Sequence, residues 1–444
     1  MEKLGIPAAP VVSSMFEENA KAAAYKRGMP LQRISFTPHP VAFQPVSLHR
    51  AYAEGDDPAT GKPLMREIVE ALTKPLTAEE KKTEAPDRTP LRVVGPDTDE
   101  NLQHLFFETG WTDGLPIVLP TEKRVAEMLK GTSHRPDEVA GKMSPGTAAH
   151  EEWEFTVEKV AINAVMAGAR PEYLPVILAI ASTALTSIPA STTSFARMVV
   201  VNGPIRKEIG MNGDVGALGP FNHANATIGR AWTLLSKNLS GAGKLGDTYM
   251  GSQGNSLSYN NVCIAENEEK SPWTPFHVDR GFKPGDSVVS IFHGWGIAHG
   301  IGVRSINKGI HAHISTLFGV FAPYSSATSE SGALVLIDPL AAKEIKKNKD
   351  VDTKEKLQKW LYENTLISYD DFWHDELVVS FTLPAAQKGV EPFASWLKQP
   401  KDSLLHRFAS PKTINIIVVG GEVNPFFQAG DFRHLKSASI DAWR

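Results

Sequence analysis

The sequence predicts an α/β protein (or α+β): a small N-terminal strand–helix–strand unit, then a larger unit with a mixed sheet and buried, Ala-rich helices. Three observations carry this. Short apolar runs alternate with stretches of helical periodicity along most of the chain. Two long segments, about Thr156 to Ala169 and Pro171 to Leu185, are so apolar that they must be central helices. Between about Lys74 and Glu100 the composition turns to Lys, Glu, Asp, Pro and Thr, as in Ala78-Glu79-Glu80-Lys81-Lys82-Thr83-Glu84, which marks a charged linker. The expected division is therefore 1–75, a linker over 76–98, and 99–444.

The N-terminal unit reads in order as follows. Ala8 to Val12 is a short apolar strand. Phe16 to Arg27 carries Ala, Glu and Lys at helical frequency and stops at Gly28. Arg33 to Phe36 is a second strand, ended by Pro38-His39-Pro40, and a crossover of this length favours a parallel pair. A helix over Leu64 to Leu72 follows, with Pro63 at its first turn.

The main unit opens with a helix near Glu100 to Glu108 and a turn-rich stretch, Thr109 to Gly114. Leu115 to Leu119 reads as an edge strand, since Pro116 cannot donate to a ladder. Thr121 caps a helix through Leu129. After the two apolar helices, strands are expected at Arg197–Val201, Val262–Ala265, Ser287–Phe292, Leu334–Ile337, Leu377–Phe381 and Ile414–Val419. Helices are expected near Ala224–Leu239, Leu340–Lys346 and Lys354–Glu363.

Composition narrows the function classes. Hydrophobic residues make up 42% and charged residues 22%, so a sizeable core is possible. The net charge of −4, without any basic run carrying aromatics, argues against nucleic acid. No stretch of about 18 uncharged apolar residues occurs, so no membrane span is expected. A single cysteine, Cys263, excludes an intrachain disulfide and a Cys-based zinc site, and fits a cytoplasmic location. The apolar helices make a homo-oligomer plausible.

Candidate chemistry sits in several places. Asn202-Gly203-Pro204-Ile205-Arg206 follows a strand and opens a helix. Free N–H groups there, with Arg206, suit a carboxylate or phosphate, against the simpler reading of a capped helix. The Gly-dense stretch Gly210 to Pro220 lacks both the Walker and the dinucleotide spacing, so no nucleotide cofactor is assigned. His223 and Asn225, at a helix start, either contact substrate or cap the helix. Cys263, between Val262 and Ile264, is a thiol nucleophile or a small core residue. Glu266, Glu268 and Glu269 lie just beyond that strand's carboxyl end, where a buried carboxyl can serve as general acid or base. His277, His293, His299, His311 and His313 cluster in sequence. His293 and His299 are catalytic candidates. His311 and His313, on a strand, would share a face and are weak metal candidates. Gly420 and Gly421 end the most apolar strand, at a possible ligand crevice.

Glu2-Lys3-Leu4-Gly5-Ile6-Pro7, the helix after it and Pro38-His39-Pro40 resemble the UGSC family of bacterial selenoproteins and their cysteine counterparts. More distantly, about residues 1–75 are similar to the B subunit of glycine, sarcosine, betaine and D-proline reductases. The resemblance implies a cysteine or selenocysteine motif just upstream of the Gly-Ile-Pro strand, whose chalcogenate would attack a substrate. No cysteine stands there. The chemistry is then lost, or supplied by a redox partner protein carrying a Cys/Sec motif, or encoded upstream of Met1 behind an in-frame UGA. Gly110 to Pro116, Asn202 to Arg206, Ala265 to Glu269 and Val419 to Gly421 resemble a bacterial family found with UGSC-type segments, which brings no reaction with it.

Three functions follow as expectations. The first is an enzyme on a small anionic organic substrate, by thiol- or selenol-dependent reductive cleavage of a carbon–heteroatom bond. The second is a lyase or hydrolase using the histidines and glutamates of the main unit. The third is a non-catalytic subunit that docks a small redox selenoprotein.

Overall fold

The computed structural model describes residues 6–42, 44–82, 92–143, 153–189, 192–246, 248–259, 261–301, 308–321 and 332–444. The Glu2–Gly5 part of the UGSC-like stretch and the centre of the expected linker, 83–91, lie outside the described residues. The chain divides into two compact units, Met1–Pro96 and Asp97–Arg444.

In the first unit, β1 (Val11–Ser13) leads through α1 (Glu17–Lys26) to β2 (Ser35–Thr37), and the strands pair in parallel, Val11 against Ser35. Gly28, at φ +70°, ends α1. Its N–H bonds to Tyr25 O and that of Met29 to Ala24 O, closing the helix in a Schellman turn. Next come α2 (Val46–Glu54), which has no clear sequence signal, and α3 (Leu64–Thr73). The carboxylate of Asp57 is fully buried and accepts from the N–H groups of Phe36, Ala59 and Thr60, tying β2 to the turn before α3. Arg33 holds Glu80 through two bonds, at 2.6 and 2.8 Å, and donates to the Lys74 and Pro75 carbonyls. The segment around Thr77–Lys82, expected as linker, is thus folded onto the first unit.

The second unit begins with α4 (Asp99–Glu108) and α5 (Glu122–Met128), whose caps Thr98 and Thr121 accept from Asn101 N and Arg124 N. Between them, Leu115–Leu119 is irregular rather than a strand. Pro116 and Pro120 remove donors, and the Gln103 side chain pairs with both the N–H and the carbonyl of Ile117 in place of a neighbouring strand. An antiparallel pair, β3 (Val139–Met143) and β4 (Trp153–Thr156), precedes α6 (Val157–Met166) and α7 (Leu174–Ser182).

Then follow β5 (Ala196–Asn202), α8 (Ile205–Glu208), α9 (His223–Ser240), β6 (Val262–Ala265), α10 (Phe276–Asp279), β7 (Val288–Gly294), β8 (Ile297–Ile301), α11 (Gly309–Phe318), β9 (Ala333–Ile337), α12 (Pro339–Lys347) and α13 (Lys354–Asn364). A small helical insert with its own core, built around Phe372, Trp373 and Trp396, is closed by the pair β10 (Leu366–Ser368) and β11 (Leu404–His406). The chain ends through β12 (Ile414–Val418), β13 (Phe426–Gly430) and β14 (Arg433–Ser439).

The expected α/β class holds, but the mixed sheet is two mixed sheets. One runs β14-β7-β5-β6 and the other β12-β9-β13-β8, each with a single parallel pair, β5–β6 and β12–β9. They pack face to face, with Met198, Val200, Ile264 and Phe292 of one meeting Leu334, Leu336 and Ile417 of the other. The alternate residues Val199, Val201, Cys263 and Ile291 turn outward onto α6, α7 and α9. Val335, Ile337, Ile416 and Val418 do the same onto α11, α12 and α13. The second unit is therefore a four-layer helix–sheet–sheet–helix sandwich, and strands buried on both faces explain the uninterrupted apolar runs.

Two further expectations fail. Leu377–Phe381 is not a strand; Val378–Thr382 forms a π-turn that buries Val378 and Thr382, four apart, and exposes Val379 and Phe381. His311 and His313 lie on α11, not on a strand, so a spacing of two sends them apart.

Gly203 tests the packing at the strand ends. Its φ is +87°, and a Cβ there would lie 2.1 Å from Asp286 O. Gly210, at φ +66°, has open space around it. Gly203→Ala should destabilise the second unit by roughly 2–4 kcal/mol, and Gly210→Ala by about 1 kcal/mol. Chemical denaturation reads both, and equal losses would refute the close-approach account.

Candidate active site

The carboxyl ends of β5, β6 and β12 meet where the two sheets join. Glu266 N bonds to Val201 O, Asn267 N to Val418 O and Gly420 N to Gly213 O. A buried polar cluster fills this junction. Arg206 is its centre: Nη2 lies 2.8 Å from Glu268 and 3.1 Å from Glu269, Nη1 donates to Glu266 O and Nε to Gly203 O. Glu268 also accepts from Gly203 N and the Asn202 amide. The anion site expected over Asn202–Arg206 is thus occupied by the chain's own carboxylate.

Glu266 is fully buried. One oxygen accepts from Asn202 Nδ2 at 2.6 Å and Phe276 N at 2.8 Å, while the other has no hydrogen-bond partner. Burial pushes its pKa up against the opposing pull of the nearby Lys354 ammonium. Burial would also raise Glu269, but the hydrogen bonds from Arg206 and Lys207 outweigh it and hold that carboxyl at about 2. His277, fully buried, places Nδ1 3.9 Å from Glu268 and pairs Nε2 with Lys283 O.

The other residues singled out in the sequence do not converge on one point. Cys263 lies in the helix-facing core, and burial pushes its thiol up to about 12, so it is a core residue and not a nucleophile. Asn225 bonds twice to the backbone of Asn212 and so knits the Gly-rich loop; His223 starts α9 beside the Tyr173 hydroxyl. Gly420 and Gly421 let that loop close on the end of β12, since a Cβ at Gly421 would strike Val215 and Gly420 N bonds to Gly213 O. His293 packs on Phe195, and burial, with Arg197 and Arg433 nearby, lowers it to about 3. His299 is exposed on β8 and accepts from the Gln428 amide. Neither ring bonds to Glu266 or Glu268. His311 packs edge-on against Trp360 and His313 against Phe427. Among the described residues no group of three or more His, Cys, Asp or Glu is placed to hold a metal ion.

A cavity of about 810 Å³ lies on the outer side of α9. Its wall is the turn Gly110–Leu115, one of the motifs quoted above. Arg230 of α9 pins that turn by two bonds to Asp113, at 2.8 and 2.9 Å, and a third to Pro116 O, while Asn238 donates to Trp111 O. Lys237, one helical turn from Thr233, faces the cavity and is half-buried. Among the described residues no carboxylate or carbonyl pairs with its ammonium. Burial lowers its pKa; Asp113 pulls it up and Lys244 pushes it further down, with a net fall. Sequence reading missed Lys237, Arg230 and Asp113. The available signal was the polar run Arg230, Thr233 and Lys237, three and four apart, on a helix whose other face is core.

The class defined by this architecture is a four-layer α/β protein with a lysine-bearing cavity beside the sandwich. In the other unit, residues 1–73 match the UGSC family. No curated protein sequence matches the chain. Among the described residues no helix is long and apolar enough to cross a membrane.

Two outcomes follow. Cys263 should not react with a thiol reagent at pH 8 in the native protein and should react fully once unfolded; rapid native labelling would place it outside the core. Glu269, depressed from 4.5 to about 2, contributes stability that is complete above about pH 4.5 and lost as pH falls toward 2. Glu269→Gln should flatten that acid limb of a stability–pH curve; an unchanged limb would refute the pairing.

Proposed function

We propose that the second unit is an enzyme acting on a small anionic organic substrate, held in the cavity against Lys237. The observation that carries this is an ammonium turned into a cavity with no partner among the described residues. A half-buried cation whose neighbouring carboxylate, Asp113, is already engaged by Arg230 costs stability, and a bound carboxylate or phosphate lowers that cost. The cavity volume suits a small molecule. Lys244 adds a second positive charge at the same wall, and Phe107, Leu115 and Leu245 supply apolar surface for a hydrocarbon part.

In the reductive-cleavage form of this reading, the sulfur or selenium comes from outside these 444 residues, because Cys263 is the only cysteine and is buried and protonated. The UGSC match supports a redox partner carrying a Cys/Sec motif. The lyase or hydrolase form based on His293 and His299 has less support, since the two rings face different surroundings. A second reading, a subunit that docks such a redox protein without catalysing a reaction itself, is favoured by the apolar rim of the cavity. Phe107, Leu245 and Tyr259 there are 61%, 79% and 87% exposed.

Thermal-shift screening of small carboxylates and phosphates tests the proposal. A ligand should raise the melting temperature of the wild-type protein, and Lys237→Met should bind it roughly 10- to 100-fold more weakly. Equal affinity in the variant would refute the cavity as the substrate site.

A further inference from the structure

We propose that Lys237 is an amine nucleophile, and that the substrate of the cavity is a 2-oxo acid with a hydrocarbon side chain, which Lys237 binds as an imine. This rests on the reading that the cavity takes the substrate, and it adds the substrate class and a covalent step.

An amine attacks a carbonyl only when unprotonated, and the surroundings of Lys237 shift it toward that form. Asp113, the nearby carboxylate, is engaged by both arms of the Arg230 guanidinium and makes no bond to Lys237. Lys244 lines the same cavity and repels a proton on Lys237. Partial burial acts in the same direction. Desolvation together with a neighbouring cation is a recognised way to activate an amine.

The cavity also holds a hydroxyl for the proton transfers, that of Tyr249. Tyr249 Oη accepts from Asn255 N, leaving its own proton for a ligand. In the step, the Nζ lone pair forms a bond to the carbonyl carbon and the carbonyl π pair moves to oxygen. A hydroxyl protonates that oxygen, and the nitrogen gives up a proton. Loss of the oxygen as water leaves the imine, so the balance is amine plus ketone to imine plus water, with no change of oxidation state.

The 2-oxo acid class follows from the lining. The carbonyl goes to Lys237, the carboxylate to Lys244, and the side chain to Phe107, Leu115 and Leu245.

The full chain is incubated with 2-oxoisovalerate, 2-oxoisocaproate or phenylpyruvate, with and without sodium cyanoborohydride, which reduces an imine to a stable secondary amine. Mass spectrometry should locate the adduct on Lys237 in excess over every other lysine, and cyanoborohydride should be required to retain it. Lys237→Arg, which keeps the charge, should retain thermal-shift binding of the acids and lose the adduct. Binding without a Lys237 adduct would overturn the imine and leave the anionic-substrate reading standing. Neither binding nor an adduct would overturn both. Adduct formation at the same level in Lys237→Arg would overturn the assignment of the nucleophile.

Discussion

The second unit depends on one buried charge, the guanidinium of Arg206. The two sheets are joined by apolar side chains along their faces, but at the carboxyl ends of β5, β6 and β12 the backbone must end, turn and find partners. Arg206 supplies donors in four directions, to Gly203 O, Glu266 O, Glu268 and Glu269. A guanidinium suits this place because its donors are fixed in a plane and its charge does not titrate. Removing one member of a buried pair costs about 3–5 kcal/mol, since the other is left without compensation. The cluster therefore acts less as a source of net stability than as a constraint on how the strand ends meet.

That constraint explains why the most suggestive sequence motif is not an open site. Asn202-Gly203-Pro204-Ile205-Arg206 has the composition of an anion cradle, and the cradle is real: Gly203 N, the Asn202 amide and Arg206 all bind a carboxylate. The carboxylate belongs to Glu268, 62 or more positions along the chain from each of them, a distance that no local pattern reveals. The same holds for Gly420 and Gly421. A glycine pair after an apolar strand marks close approach of backbone, but whether a ligand or a loop approaches is decided by the tertiary fold.

Elements whose signal is local were legible. Thr98 and Thr121 announce the helices they cap, Gly28 ends α1, and the double-faced burial of β5, β9 and β12 appears as unbroken Val, Ile and Leu. What was not legible depended on competition between local and distant partners. Leu115–Leu119 has strand-like residues, but the Gln103 amide satisfies Ile117 from a preceding helix. The two sheets could not be told from one, because a strand buried against a second sheet and a strand buried against helices have the same composition. His311 and His313 would share a face only on a strand, and they stand on α11 instead.

The contrast between the two polar regions of this unit bears on function. The guanidinium of Arg206 is answered in every direction from within the chain, which is what a structural junction requires, although Glu266 Oε1, Asn202 Oδ1 and His277 Nδ1 beside it have no hydrogen-bond partner among the described residues. At Lys237 the opposite holds. The fold engages Asp113 with Arg230, which fixes the Gly110–Leu115 wall, and leaves the lysine beside it with no direct ion pair among the described residues. Exchanging those roles would be simple in sequence terms, since both cations lie on α9, seven residues apart and on one face. An ion pair at Lys237 would return some stability, so an unpaired lysine in a walled cavity is a local weakness that packing does not demand. Sites of this kind persist where the unpaired group serves a ligand. The turn that forms the wall is also the stretch Gly110–Pro116 singled out in the sequence. Its distinctive residues are therefore accounted for together, because they hold one side of the space into which Lys237 projects.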